Sequence, residues 1–140
     1  MFEPNWYAVV GAAVLAMVLG FLWYGPLFGK QWMAMMGFTC EHVEEAKKKG
    51  VGKSYALMAL GSLLMAYVLS WTVLSVGMIR PLLGVTHVGL LAGFWSWLGF
   101  VAPITLGSVL WEGKPWKLWA LNSGYYLVAL CMMGVLLAHY

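Results

Sequence analysis

The chain has 140 residues, 63% of them hydrophobic and 9% charged, with a mean hydropathy of +0.83. Soluble domains carry roughly 45–50% apolar and about 25% charged residues, so this composition excludes an ordinary soluble domain. The net charge of +3 does not indicate a nucleic-acid partner, because the basic residues stand beside apolar runs, where they anchor helices at a membrane surface.

Charges are also segregated along the chain: no Asp, Glu, Lys or Arg falls in 4–29, 54–79, 81–111 or 118–140. Each gap exceeds the roughly 20 residues that an α-helix needs to cross about 30 Å of hydrocarbon. Continuous apolar runs such as 9–19 do not alternate as barrel strands would. Helices then remain as the way to satisfy a backbone in lipid. The expected fold is an all-α integral membrane protein, a single domain over 1–140 with four transmembrane helices at about 5–24, 54–79, 86–110 and 117–139, and a cytoplasmic connector over 27–53.

The start, Met1-Phe2-Glu3-Pro4, has no basic region of the kind that opens a signal peptide, so the first span is expected to be retained. Pro4 precedes that span, where a missing N–H costs nothing, and Trp6, Tyr7, Trp23 and Tyr24 mark its two ends as interfacial belts. Ala8, Ala12, Ala16 and Gly20 recur every four residues and form a shallow ridge on one face, where a neighbouring helix can come close. Gly25-Pro26 is expected to end the helix, since proline removes a donor and disfavours α geometry in the residue before it.

The connector opens with an apolar, aromatic piece over 27–36, suited to a short helix in the headgroup plane, which Gly37 ends. Thr39 then reads as an N-cap, with Glu41, Glu44 and Glu45 early, Lys47, Lys48 and Lys49 late, and Gly50 as the stop, an order that complements the helix dipole in a short solvated helix. Span two repeats a small stripe at Ser62, Ala66 and Ser70, and Arg80-Pro81 closes it. The short link at 82–85 makes spans two and three an antiparallel hairpin. Span three holds Gly89, Gly93, Gly99 and Gly107, and Pro103 should kink it. A second tight link, 111–117, leads into span four.

Lysines flank one side of the spans: Lys30, Lys47, Lys48, Lys49 and Lys53 in the first connector, Lys114 and Lys117 in the third, against Arg80 alone on the other side. The positive-inside rule places both connectors in the cytoplasm and both termini outside, in a bacterial inner membrane.

With depth comparable between helices, polar residues sort into two layers. Tyr24, Thr105, Ser108 and Asn122 lie toward the lysine side; Asn122, an amide about five residues inside span four, must find partners there. It serves either as interhelical glue, to Tyr24, Thr105 or a carbonyl freed by Pro103, or as polar lining for a solute. Asn5, Thr72, Ser75, Thr86, His87 and His139 lie toward the other side, and each histidine is read as an interfacial hydrogen-bonder. Cys40 and His42 have only glutamates beside them, short of a zinc ligand set, and Cys131 is too distant for a disulfide. The nine tryptophans and ten methionines are read as belts and core filler.

No charged residue lies inside a span, which removes the usual carrier for proton coupling, and no nucleophile stands with a base. Neither an enzyme nor a cofactor is expected. Asn5-Trp6 with Ala8-Val9, then Leu22-Trp23-Tyr24, Pro26-Leu27-Phe28-Gly29-Lys30 and Trp32, resemble a bacterial family of small four-span membrane proteins catalogued as a domain of unknown function. The resemblance implies a four-helix integral membrane protein and supplies no activity. A serine often precedes the proline in that family; here the position is Gly25.

Two functions are compatible with these residues. The first, favoured on the Ala8-to-Gly20 ridge, is a protein acting by helix association as a homo-oligomer or accessory subunit of a membrane complex. The second is a channel or carrier for a small neutral or apolar solute, motivated by Asn122, Thr105, Ser108 and the glycine-rich third span. A water-accessible cavity reaching Asn122 would separate the second from the first.

Overall fold

The computed structural model describes residues 4–36 and 52–140, and among them every element is helical. The elements are α1 (Trp6–Leu22) with a π turn (Trp23–Leu27), α2 (Gly29–Met36), α3 (Gly52–Ile79), α4 (Val85–Ser96) with a second π turn (Trp97–Val101), α5 (Ala102–Thr105), α6 (Gly107–Leu110) and α7 (Trp116–His139). Four segments, Trp6–Leu27, Gly52–Ile79, Val85–Leu110 and Trp116–His139, are long and apolar enough to cross a membrane. The capped helix expected over 39–50, together with Gly37, Cys40 and His42, lies outside the described residues.

Asn5 starts α1, its Oδ1 accepting from the Tyr7 N–H at 3.1 Å, while its Nδ2 donates to the Tyr140 carbonyl and ties the start of α1 to the end of α7. Ala8, Ala12 and Ala16 are buried, whereas Val10, Val14, Val18 and Phe21 on the opposite face are exposed. Apolar side chains therefore occupy both faces of one helix, an arrangement stable only where the surroundings are themselves apolar. The same holds on α3, where Ala66, Leu69 and Val73 are buried and Leu57, Leu60, Leu64 and Val68 are exposed.

Both prolines inside spans act one turn upstream of themselves. A proline ring collides with the carbonyl four residues before it and offers that carbonyl no N–H. For Pro26 that residue is Leu22, where regular α geometry ends; Phe28 N–H then bonds to the Trp23 carbonyl at 2.9 Å, and Gly25 takes φ −108°, ψ −105°. For Pro103 it is Gly99, the centre of the Trp97–Val101 turn. The kink expected at Pro103 thus lies just before it, and in span one regular helix gives way to a wide turn whose backbone is non-helical at Gly25, at the Gly25-Pro26 break expected.

Asn5, Arg80, His139 and Tyr140 share one end of the bundle, the terminal end; Lys30, Lys53, Lys114 and Lys117 mark the opposite, lysine end. The core, built mostly from alanine and glycine on α1, α3 and α4 against larger side chains of α7, runs between them.

Candidate functional site

Packing between α4 and α7 changes along its length. Toward the terminal end the helices touch backbone to backbone: a Cβ built on Gly89 would collide with the Gly134 carbonyl, and one on Gly93 would lie 2.5 Å from the Leu130 carbonyl oxygen. Glycine permits that approach because it has no side chain to displace. From the π turn onward, side chains take over: Trp97 Nε1–H donates to the Ser123 carbonyl at 2.7 Å, and Trp119 Nε1–H reaches back to the Ala102 carbonyl at 3.4 Å. At the lysine end α5 and α6 stand away from α7, leaving an open recess of about 400 Å³ lined by Thr105, Ser108, Trp111, Glu112, Trp119 and Asn122. The interface is a wedge, closed by glycines at one end and opened by indoles at the other.

An aromatic corner supports α7 beside that recess. The π turn aims the consecutive Trp23 and Tyr24 at α7: Trp23 Nε1–H donates to the Leu121 carbonyl at 3.0 Å and Tyr24 O–H to Asn122 Oδ1 at 2.9 Å. Tyr24 packs at 5.6 Å from Trp32 and 5.4 Å from Tyr125, and Trp23 at 4.8 Å from Phe28. One turn further on, buried Tyr125 donates its O–H to the Ala16 carbonyl at 2.7 Å. Gly20 leaves the room for this, since a Cβ there would lie 3.0 Å from Tyr125 Oη. Gly29 is buried, and a Cβ there would lie 2.6 Å from the Tyr24 carbonyl oxygen, so the missing side chain lets α2 fold back on the corner.

These bonds fix what the recess can offer. Thr105 Oγ1–H donates to the Val101 carbonyl at 2.7 Å and Ser108 Oγ–H to Thr105 at 2.9 Å, so each hydroxyl presents acceptor lone pairs to the cavity. Asn122 has its oxygen engaged by Tyr24 and leaves its NH₂ as the donor. Glu112 adds a carboxylate, and among the described residues no lysine or arginine lines the space. The recess thus offers an amide donor beside several acceptors, the pairing that a small hydrogen-bonding molecule needs.

The structure brings Tyr24, Asn122, Thr105 and Ser108 to one region, with Asn122 joined to Tyr24 and the two hydroxyls turned to their own helix. Ala8, Ala12, Ala16 and Gly20 pack within the chain against α3 and α7. Trp23, Tyr24, Phe28 and Trp32 are half-buried in the corner, while Pro26 and Lys30 are exposed. Reading tryptophans as belts missed Trp97 and Trp119 as donors between helices. Trp97 carried a signal, since it lies near the middle of its span, far from either interface. On the terminal side, His139 Nε2 lies 3.0 Å from Thr86 Oγ1, and Thr72 and Ser75 bond back to their own helix.

The chain matches no curated protein and no solved structure. A family model described as "Protein of unknown function (DUF1761)" matches residues 7–138, nearly the whole chain and both sides of the wedge. This four-helix chain belongs to the family DUF1761.

Proposed function

We propose that this is a non-enzymatic protein of the bacterial inner membrane that takes a small neutral solute into the recess beside Asn122, with the lysine end in the cytoplasm. The observation that carries the reading is the open cavity of about 400 Å³ that reaches Asn122, Thr105 and Ser108. Contact between the backbones of Gly89 and Gly134 favours a carrier over an open channel, because the wedge has no continuation past the glycines. The test is osmotic: proteoliposomes are shifted into urea, acetamide or glycerol and their shrinking and re-swelling followed by light scattering. Wild-type protein should speed re-swelling with at least one of these solutes, and Asn122→Leu should abolish the gain. Traces matching protein-free vesicles for all three refute the reading.

Association as a homo-oligomer or accessory subunit is the second reading. The Ala8-to-Gly20 ridge packs inside the chain and lends it no further support. A different feature does: around the second π turn, Leu98, Gly99, Phe100 and Ile104 are exposed, and Pro103 lacks the N–H that a regular helix would send to the Gly99 carbonyl. Irregular backbone at membrane depth is tolerated where protein covers it. The mass of the detergent-solubilised particle tests this reading, and a single chain with bound detergent alone sinks it.

A further inference from the structure

A second cavity, of about 490 Å³, opens at the terminal end where α1, α3, α4 and α7 meet. Its walls are apolar, with Val73, Leu74, Val88 and Leu137 among them. Its polar groups are nearly all engaged: Ser70 Oγ–H donates to the Tyr67 carbonyl at 2.6 Å, and Asn5 uses its oxygen on Tyr7 and its nitrogen on Tyr140. Arg80 and the exposed Tyr140 hydroxyl are the exceptions. Arg80 lines the cavity from the link after α3, and its guanidinium has no hydrogen-bond or ion-pair partner among the described residues. It is also the one lysine or arginine at this end among those residues.

An occupant must therefore be apolar along most of its length and negative at the end nearest Arg80. A neutral polar solute would set its polar groups against walls that are mostly apolar; a soluble anion finds one guanidinium above a greasy wall, too little to hold it against water. An anionic phospholipid fits both parts. Its acyl chain lies between α3, α4 and α7, and its phosphate takes the Arg80 fork at the depth where headgroups lie. We propose that this cavity is a binding site for one anionic phospholipid, with Arg80 as the headgroup ligand and the walls of α3, α4 and α7 as the chain groove.

The site is distinct from the recess at Asn122, so it stands or falls independently of solute binding. The test is native mass spectrometry of full-length protein released from vesicles of equimolar phosphatidylglycerol and phosphatidylcholine, which is indifferent to the direction of insertion. Wild type should retain phosphatidylglycerol over phosphatidylcholine by about fivefold, the selectivity that one interfacial cation confers. Arg80→Gln should bring the ratio to about one, and Arg80→Lys should keep most of it. The Lys114→Gln/Lys117→Gln variant should leave it unchanged, and excess inorganic phosphate should not displace the lipid. Equal retention of the two lipids by wild type, an undiminished ratio in Arg80→Gln, an equal loss in the lysine variant, or displacement by phosphate overturns the proposal. Because Arg80 is exposed in a link, its replacement leaves the helix packing intact.

Discussion

Replacing Tyr24 by Phe and Asn122 by Leu, singly and together, measures whether the bond between span one and span four holds the wedge. The two side chains meet at 2.9 Å in a half-buried position, with Tyr24 also packed on Trp32 and Tyr125. Tyr24→Phe keeps the ring contacts and removes only the hydroxyl, so its cost is that of one hydrogen bond. Side-chain bonds between membrane helices average about 0.6 kcal/mol and reach about 1.7 kcal/mol. Asn122 faces an open recess, so its freed oxygen finds water, and we place the expected coupling near the middle of that range, at about 1 kcal/mol. Unfolding free energies of the four proteins, from SDS titration in mixed micelles with tryptophan fluorescence, give the coupling as the departure from additivity. Additivity within about 0.3 kcal/mol would refute the bond as a support and leave Asn122 as lining alone.

Glycine positions should divide sharply. Gly93→Ala puts a methyl 2.5 Å from the Leu130 carbonyl oxygen and should cost about 1–3 kcal/mol in the same titration, whereas Gly61→Ala, with nothing within 4 Å, should be neutral or stabilising. Tyr125→Phe should destabilise by about 1 kcal/mol by removing the hydroxyl bond that ties α7 to the Ala16 carbonyl of α1, and an unchanged midpoint would remove that bond from the account. Trp97→Phe removes the donor to Ser123 and should destabilise the protein and red-shift its tryptophan emission as water enters the widened wedge. A reporter active only in the cytoplasm, fused after Tyr140, should be silent; activity would reverse the orientation drawn from the lysines.

The four spans are legible in the order of the residues, because a charge-free run of more than 20 residues is a local property that the thickness of a bilayer reads directly. The sequence also pointed to the Ala8-to-Gly20 face, since period-four small residues mark close packing wherever it occurs. It could not say what packs there. In these helices both faces are apolar, so no pattern of hydrophobicity distinguishes a face toward α7 from a face toward lipid. The partners of Trp97, Trp119 and Tyr125 are backbone carbonyls, which every residue carries and no residue type advertises. The tertiary structure alone decided that two prolines distort the turn before them, that glycines close one end of the α4–α7 interface while indoles hold the other apart, and that Asn122 lies where the opening reaches the surface. Local chemistry sets where a helix can run; the positions of cavities depend on how four helices share one core.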